Sequence, residues 1–565
     1  MAGKRIPYGI SNYQTIAREG YLYVDKTRFI RVLEENQEPF VFFLRPRRFG
    51  KSLFVSLLSN YYDRLQKDQF NEFFTGTDIW KEPTPKKGSY YVLNFDFSGI
   101  STTTEEELVE SFSRKIQNYL NLFLAKYNIP ITLHSHSSPA DVLAEFFSLV
   151  FTRIDGQIYV IIDEYDHFAN ELLGFDIQLF HQSLGGNGFI RKWFEVLKEA
   201  TKTIVGRIFA TGVSPITLDS LTSGFSTARD LTRSPRLHEM MGFTESEVDM
   251  LIHEALPEEL IFPGMIETLR EYYDGYCFSE DCTARLFNSD MVLYYLTSCL
   301  DRQKPPEKLL DSNIISDYSK FEKLMRIKTP DQNFSVLSRI TSDGFVSANL
   351  TETFTLDISF SEDDFISLLF YLGLLTIQES LPGRVQVKTP NYVIHGLYHD
   401  FMMQMISREA GLDVQSSVIA DAIYQIAYSG KCDKLVSLVE EVLHAFSNRD
   451  YIGFDEKYLK ILIFAYAHMS TLYLVKSEYE ISGGYIDIAF LPREPWHPDY
   501  YALFELKYIK SGQSSPEAIN KALKDGIEQM TRYGSSPECA YQKKVKRWVL
   551  VFAGDRCVHN REVTP

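Results

Sequence analysis

The feature that most constrains this chain is a short apolar strand that runs through a glycine-lysine-serine turn into an amphipathic helix. The strand, Phe40–Leu44, leads through the loop Arg45–Ser52 into a segment whose apolar residues recur at helical spacing. This order places backbone N–H groups at a helix N-terminus, where phosphates bind, with Lys51 to reach the outer phosphates and the Ser52 hydroxyl for Mg²⁺. Gly50, Lys51 and Ser52 therefore predict the second half of a P-loop.

The first half of that loop departs from the usual G-x-x-x-x-G-K-S pattern. Arg45 replaces the first glycine, and Pro46 biases Arg45 towards an extended backbone. Arg47 and Arg48 add positive charge, which we expect to contact phosphate either within one subunit or in the site of a neighbouring copy.

A second apolar run, Ile158–Ile162, ends in two carboxylates, as a Walker B strand does. Asp163 is predicted to hold Mg²⁺ and Glu164 to act as the general base for the attacking water. A further strand ends at Thr211, whose hydroxyl is predicted to contact the γ-phosphate. The alternatives are a plain strand-end turn for Thr211, and unrelated ends of two core strands for Lys51 and Asp163.

The pattern along the chain predicts an α/β protein with three domains. Residues 1–240 alternate β-rich runs with helical segments, which favours a parallel sheet. Residues 241–410 begin with a capping-box pattern, Thr244 to Glu247, and read as a helical region with a winged unit near 365–387. Residues 411–565 contain elements in the order α, β, β, β, α, β.

Composition excludes several other classes of protein. The 565 residues are 45% apolar and 24% charged, which excludes wholesale disorder, and no apolar run approaches the ~20 residues of a membrane span. The net charge of −17 argues against a protein that coats nucleic acid non-specifically. Six scattered cysteines and the absence of an apolar leader predict a reduced, cytoplasmic protein without membrane partners.

The motifs at the front of the chain carry a family resemblance. Tyr23–Thr27 and Phe42–Ser52 resemble the opening of the AAA-ATPase-like proteins, bacterial P-loop proteins that often carry a carboxyl-terminal PD-(D/E)XK nuclease-like domain. In that family an arginine commonly stands at the position of Arg45. The resemblance continues through Thr211–Pro215, and then in Gly242–Glu245 and in Tyr273–Tyr276 with Asn288. It departs at Ser226, where relatives tend to have asparagine. The resemblance implies ATP and Mg²⁺ as ligands.

The last third of the chain contains a second set of charged residues. Glu505 and Lys507 lie on one face of an apolar strand, and Asp487 lies on the preceding hairpin after Gly483-Gly484. Carboxylates that fix Mg²⁺ or Mn²⁺, with a cation beside the attacking water, are the groups that phosphodiester hydrolysis needs.

This set resembles the PD-(D/E)XK signature, in which Asp and Glu bind metal and Lys positions water. The resemblance implies Glu456 as a further metal ligand and Gln529 and Tyr533 as supporting residues on the following helix. Many relatives have an arginine after the glycine where this chain has Tyr485, so we expect the basic cluster 543–547 to supply that phosphate contact.

Together these features predict an ATP-hydrolysing P-loop protein with a metal-dependent nuclease-like domain that acts on DNA, and they are compatible with a homo-oligomer. The alternatives are a nucleotide-gated module that only binds DNA or protein, and a P-loop switch that scarcely hydrolyses ATP.

Overall fold

The computed structural model describes residues 4–134, 138–175, 183, 188–215, 228–311, 314, 330–352, 354, 360–410, 415–447, 456–482, 484–534 and 544–564. Two compact units divide the chain. One comprises Met1–Gln303, Leu310–Ile340 and Gly344–Tyr392, and the other Lys304–Leu309, Thr341–Asp343 and Val393–Pro565. The finer boundaries at 240 and 410 stay predictions, and the positions Ser226, Gly483 and Lys543 lie outside the described residues.

The first unit contains the predicted parallel sheet. Its five strands are arranged in the order β2-β3-β4-β1-β5, and every pairing is parallel. The strands are β1 (Phe40–Leu44), β2 (Tyr91–Asp96), β3 (Ile158–Asp163), β4 (Val205–Gly212) and β5 (Arg229–Asp230). The β4 strand lies between β1 and β3, so the two motif-bearing strands end at the same edge with one strand between them.

Helices cover this sheet and continue beyond it. They are Tyr13–Glu19, Arg28–Glu35, Lys51–Tyr62, Phe70–Phe74, Asp78–Lys81, Glu105–Lys126, Pro139–Phe151, His167–Phe175, Phe189–Ala200, Glu245–Ala255, Met265–Tyr273, Ser289–Arg302, Pro330–Asp343 and Glu362–Tyr371. Short 3₁₀ turns occur at Arg64–Gln69, Pro235–Met240 and Glu258–Leu260.

Local sequence explains the best-defined of these helices. Glu105–Lys126 begins at the N-cap Thr104, whose hydroxyl accepts a hydrogen bond from the Glu107 N–H at 3.2 Å, and its apolar stripe from Leu108 to Phe123 is buried. The predicted capping box forms before Glu245–Ala255.

The predicted winged unit is a helix followed by a hairpin. Glu362–Tyr371 precedes β7 (Thr376–Leu381) and β8 (Arg384–Lys388). A third strand, β6 (Val346–Ala348), pairs with β8 and completes an antiparallel sheet in the order β6-β8-β7. The sequence missed β6 because three residues carry too little periodicity to stand out.

The second unit is built on a mixed five-stranded sheet. The strands β9 (Leu474–Ile481), β10 (Gly484–Leu491), β11 (Tyr501–Ile509), β12 (Val545–Ala553) and β13 (Arg556–Glu562) lie in sequence order. Only β11 and β12 are parallel, and the helix Pro516–Gly534 connects them. This agrees with the predicted α, β, β, β, α, β order, to which the structure adds β13.

Two apolar cores lie on the two faces of this sheet. The larger packs against Ser416–Ser429, Asp433–Ser447 and Glu456–His468, and the smaller against Pro516–Gly534. The helix Tyr392–Ala410 and a 3₁₀ turn, Ser511–Gln513, complete the elements. The five described cysteines are free thiols.

Candidate functional sites

The loop after β1 turns directly into a helix N-terminus. Gly50 is the N-cap of Lys51–Tyr62 and has a φ of 90°, a left-handed conformation that glycine adopts without strain. A Cβ atom added to Gly50 would meet nothing within 4 Å, so the space in front of the helix is open. The strand, loop and helix therefore have the geometry of an anion-binding turn.

Three carbonyl groups of this loop accept hydrogen bonds from later segments of the chain. The carbonyls of Arg47, Arg48 and Phe49 accept hydrogen bonds from Asn288 Nδ2 at 3.3 Å, the Asp290 N–H at 3.2 Å and the Gly242 N–H at 3.1 Å, respectively. Carbonyl and N–H groups of a trans peptide point in opposite directions, so anchoring the carbonyls turns the N–H groups that follow them to the other side. The family-like segments near 242 and 288 thus support the loop.

Lys51 is folded back onto its own loop. Its Nζ donates to the carbonyls of Arg45 at 3.0 Å and Pro46 at 2.9 Å, and the residue is only 7% exposed. Burial lowers the pKa of Lys51, and the nearby Asp163 and Glu164 charges oppose that shift. The ammonium is bound to neutral carbonyls, so its charge is available to an anion in the loop.

Arg45 is buried in the core of the first unit. It is 1% exposed, and its guanidinium donates to the carbonyls of Leu44 and Thr232 at 2.9 and 2.8 Å while lying over the rings of Phe43 and Phe278. Burial lowers the pKa of Arg45 to about 9. The side chain at the lost glycine position therefore points into the core and leaves the loop backbone accessible.

Asp163 lies at the end of β3 beside the P-loop serine. The Ser52 hydroxyl hydrogen-bonds the Asp163 carboxylate, whose Oδ1 also accepts from the Glu164 N–H at 3.0 Å. Burial raises the pKa of Asp163 to about 6, against the opposing effects of Ser52 and Lys51. A buried carboxylate next to a hydroxyl is a fitting pair of ligands for Mg²⁺.

Glu164 has a partner that sequence reasoning missed. His167 Nδ1 lies 2.9 Å from Glu164 Oε2, and this hydrogen bond lowers the pKa of the glutamate. Glu164 also adopts a left-handed backbone, with φ at 49°. The spacing in the sequence could have indicated this contact, because His167 follows Glu164 by three residues and begins the next helix.

Thr211 and its neighbours are engaged within the sheet. The Thr211 hydroxyl donates to the Phe43 carbonyl at 2.7 Å, and the residue has no exposed surface. Asp166 accepts from the N–H groups of Val213 and Ser214 and from the Ser214 hydroxyl. The structure thus places the Thr211 hydroxyl between β1 and β4 rather than facing the loop, where its predicted phosphate contact would need it.

A cavity of about 630 Å³ opens beside the loop. Its polar wall includes Arg47, Arg48, Gly50, Lys51, Ser52 and Glu164. Its apolar wall comes from Ile10, Leu22, Val24, Met241 and Phe243. Lys26 also lines it and forms a largely buried ion pair with Glu247 at 2.7 Å. A polar end and an apolar end suit a ligand with phosphates and a flat base.

In the second unit, the predicted carboxylates and lysine meet across β10 and β11. Asp487 Oδ2 accepts the Leu506 N–H at 2.7 Å, which holds Asp487 against the strand that carries Glu505 and Lys507. Lys507 Nζ donates to Glu505 Oε1 at 2.8 Å, so these two side chains share a face as predicted.

Glu505 is the most deeply buried acid of this group. It is 2% exposed, and its Oε2 atom has no hydrogen-bond partner among the described residues. Burial and the Asp487 charge raise the pKa of Glu505, while Lys507 opposes the shift. A buried carboxylate oxygen without a partner is costly, and a divalent cation would satisfy it.

Lys460 was not predicted, yet it contacts the same carboxylates. Its Nζ lies 2.6 Å from Asp487 Oδ1, 2.6 Å from Glu478 Oε1 and 3.9 Å from Glu456 Oε1. Burial alone would lower the pKa of Lys460, but the charges of Asp487 and Glu478 outweigh it and raise the pKa. Its sequence signal was its position one helical turn after Glu456.

Glu456 lies at the first position of its helix, at the edge of this group. Burial and then the Asp487 charge raise its pKa, which places the two carboxylates within electrostatic reach. Among the described residues, no three Asp, Glu, His or Cys side chains converge closely enough to hold a metal ion. Asp487 and Glu505 thus form the centre of the candidate metal site, with Glu456 further out.

The supporting residues lie on Pro516–Gly534. A polar cavity of about 560 Å³ is lined by Lys507, Asp525, Glu528, Gln529 and Arg532. Gln529 Oε1 is buried without a hydrogen-bond partner in the described structure. Tyr533 packs against Gly484, where an added Cβ would lie 3.2 Å from its ring and 3.7 Å from the Arg532 guanidinium. Arg532 therefore lies beside the hairpin whose arginine this chain lacks.

The described residues of the basic cluster, 544–547, lie opposite another part of β11 and are engaged. Lys544 pairs with Asp499 at 3.1 Å, Lys546 pairs with Glu562 at 2.7 Å, and Arg547 is 6% exposed. These residues stand opposite the first residues of β11, before Glu505 is reached. The charges of Lys544 and Lys546 are thus already balanced by acidic partners.

Comparisons with known proteins match both regions. Residues 7–222 match the family model of a predicted AAA-ATPase, described as AAA-ATPase-like. Residues 454–562 match the model of the PD-(D/E)XK nuclease superfamily. The chain is also 24% identical over 546 residues to an uncharacterized protein in the vnfD 5′ region of Azotobacter chroococcum mcd 1, covering 93% of this chain and 94% of that protein. Within the described structure, no helix combines the length and apolarity needed to cross a bilayer.

Proposed function

We propose that this chain, which carries an AAA-ATPase-like domain and a PD-(D/E)XK nuclease superfamily domain, hydrolyses ATP in the first and cleaves DNA with a divalent metal in the second. Each activity rests on its own site. The observation that carries the nuclease activity is the buried Glu505 Oε2 atom, which has no hydrogen-bond partner among the described residues; the same carboxylate contacts Lys507 and lies within electrostatic reach of Asp487.

The front site supports ATP as its ligand. Loop N–H groups and Lys51 would bind the phosphates, and the apolar wall of the cavity would hold the base. Ser52 and Asp163 would hold Mg²⁺, which supplies positive charge to the phosphates. Arg47 and Arg48 line the same cavity and would add charge beside the phosphates.

Glu164 is the general base in this proposal. His167 holds its carboxylate at 2.9 Å and keeps it ionised, the state in which it accepts a proton from water. His167 then acts as a positioning residue for Glu164.

ATP turnover tests the front site. The Glu164→Gln variant should bind ATP as the wild type does and hydrolyse it at least about 100-fold more slowly, the range of general-base catalysis. Glu106→Gln, on the exposed first turn of another helix, is the matched control. Equal, near-zero rates in wild type and Glu164→Gln would favour a nucleotide switch instead.

The back site supports phosphodiester hydrolysis. Asp487 and Glu505 would hold the metal ion, which supplies charge to the scissile phosphate. Lys507 would orient the attacking water, since its ammonium already contacts Glu505. Gln529 and Arg532 line the adjoining polar cavity, where a nucleic-acid backbone would lie.

Two observations favour the alternative of a binding-only module. The described residues hold no three-ligand metal group, and Lys460 already pairs with Asp487. The decisive experiment incubates the full chain with Mg²⁺ or Mn²⁺, ATP, and plasmid or linear DNA. Cleavage that Glu505→Ala abolishes supports the nuclease. DNA binding without cleavage, together with no Mn²⁺ binding, would establish the alternative.

A further inference from the structure

Lys460 occupies a position at the carboxylate site that no motif assigns. The helix Glu456–His468 places it one turn after Glu456, and its ammonium lies 2.6 Å from both Asp487 Oδ1 and Glu478 Oε1. Its side chain is only 20% exposed. Two short contacts to acids from adjacent strands fix the ammonium between β9 and β10.

These contacts limit the oxygen atoms that remain for metal ions. Asp487 Oδ1 pairs with Lys460, and Asp487 Oδ2 accepts the Leu506 N–H at 2.7 Å. Glu505 Oε1 accepts from Lys507, and Glu505 Oε2 is buried without a hydrogen-bond partner in the part of the chain that the structure describes. Two-metal sites place their ions about 3.5–4 Å apart and need carboxylate oxygens for both. Among the described residues of this group, Glu505 Oε2 is a buried carboxylate oxygen that has no hydrogen-bond partner.

The net charge of the group indicates how many metal ions it can hold. Four carboxylates, those of Glu456, Glu478, Asp487 and Glu505, surround the two ammonium groups of Lys460 and Lys507. Two negative charges remain, which one divalent cation neutralises. A second such ion would leave an excess of positive charge beside Lys460, and like charges at close range repel strongly in a partly buried site.

We propose that Lys460 is a built-in cation that takes the place of a second divalent ion, so that this site binds one metal ion per chain. The inference rests on the proposed nuclease site and adds its metal stoichiometry. Lys460 acts as a positioning residue: it holds Asp487 and excludes a second ion through charge.

The test counts bound Mn²⁺ on the full chain without nucleotide or DNA, by calorimetry and by electron paramagnetic resonance. All proteins carry Asp163→Asn, so that the front-site carboxylate contributes no ion. The series is the parent, Lys460→Met, Lys460→Arg and Lys457→Met. Lys457 is an exposed lysine on the same helix that pairs with Asp343, and it serves as the matched control.

We expect one Mn²⁺ for the parent, Lys460→Arg and Lys457→Met, and two for Lys460→Met. Lys460→Arg keeps the positive charge, so it separates the effect of charge from that of replacing the side chain. Melting curves on all four proteins show whether a change in the number of bound ions comes from a loss of folding. Two ions on the parent would overturn this inference and leave the proposed nuclease standing. One ion of unchanged affinity on a folded Lys460→Met would also overturn it. No Mn²⁺ on any protein would overturn the metal site itself.

Discussion

The two candidate sites arrange their lysines in opposite ways. In the first unit, Lys51 binds the neutral carbonyls of Arg45 and Pro46, and its charge is left for an incoming anion. In the second unit, Lys460 and Lys507 already bind the carboxylates that would hold metal. Under the proposed functions, Lys51 would therefore contact an incoming phosphate, whereas Lys460 and Lys507 would limit the positive charge that the second site binds.

The sites also share a backbone feature. Glu164 and Glu478 both adopt left-handed conformations, with φ at 49° and 48°, and each carboxylate contacts a basic side chain at its site. Such conformations cost about 1–3 kcal/mol in residues other than glycine and cluster at functional sites. The comparison indicates that both sites fix an acidic side chain at the expense of backbone stability.

The largest expected effect concerns the second site. Glu505→Gln keeps the shape of the side chain but removes the charge that would bind metal. We expect DNA cleavage to fall about 1000-fold or more, because metal stabilisation of a transition state contributes several kcal/mol. Gel assays with Mg²⁺ and with Mn²⁺ measure it. Glu517→Gln is the control, because Glu517 is exposed in the first turn of Pro516–Gly534 and does not line the cavity. Equal cleavage by Glu505→Gln would show that the site is not the nuclease.

The next effect concerns the first site. Lys51→Met removes the loop ammonium that donates to the carbonyls of Arg45 and Pro46. Nucleotide affinity should fall about 100-fold or more, since hydrogen bonds to charged groups contribute roughly 1.5–3 kcal/mol each. Titration with a fluorescent ATP analogue measures the loss. Lys192→Met, exposed on Phe189–Ala200, should bind as the wild type does. If Lys51→Met bound ATP normally, the contrast between the two lysine arrangements would fail.

A third prediction is that removing the charge of Asp163 stabilises the fold but weakens ligand binding. Its folded pKa of about 6 exceeds the unfolded value of 3.8, so the folded state binds the proton more tightly. This stabilisation is complete below pH 3.8 and is lost as the pH rises through 6. Ionised Asp163 therefore destabilises the protein at pH 7, and Asp163→Asn should raise the free energy of unfolding by about 2 kcal/mol while weakening Mg²⁺-dependent ATP binding.

Urea unfolding at pH 7 and pH 4 measures this difference. The gain should be largest at pH 7 and should nearly disappear at pH 4, where the wild-type carboxyl is protonated. Asp141→Asn, an exposed residue in the first turn of Pro139–Phe151, should change stability little at either pH. A gain that is the same at both pH values would contradict the assigned cause.

The sequence predicted those parts of the structure that depend on neighbouring residues. The strand Phe40–Leu44 and the burial stripe of Glu105–Lys126 follow from local periodicity, and the sheet is parallel as the alternation of strands and helices indicated. Placement of Glu505 and Lys507 on one face follows from the two-residue period of a strand. These inferences need no knowledge of distant contacts.

The parts that the sequence did not reveal depend on distant partners. Arg45 is a core residue because Thr232 and Phe278 enclose it, and neither lies near it in the chain. Thr211 turns into the sheet because the Phe43 carbonyl accepts its hydroxyl. Lys460 joins the carboxylate site only when β9 and β10 form a hairpin beside its helix. Tertiary contacts decide the role of each of these side chains.

The smallest expected effect tests which cation contacts DNA at the second site. Arg532 lies in the cavity with Lys507 and beside Gly484, whereas Lys544 and Lys546 are paired with acids. Each phosphate contact contributes about −0.9 to the slope of log affinity against log salt for duplex DNA. Arg532→Gln should therefore weaken binding several-fold and reduce that slope by about one.

Fluorescence anisotropy at several salt concentrations, with Ca²⁺ in place of Mg²⁺, measures the slope for binding alone. Lys521→Gln is the matched control, because it lies three turns earlier on the same helix and outside the cavity. A changed slope in Lys544→Gln and an unchanged one in Arg532→Gln would place the DNA backbone at the start of β11. The second unit would then bind DNA on a surface separate from its carboxylates, as a binding-only module would.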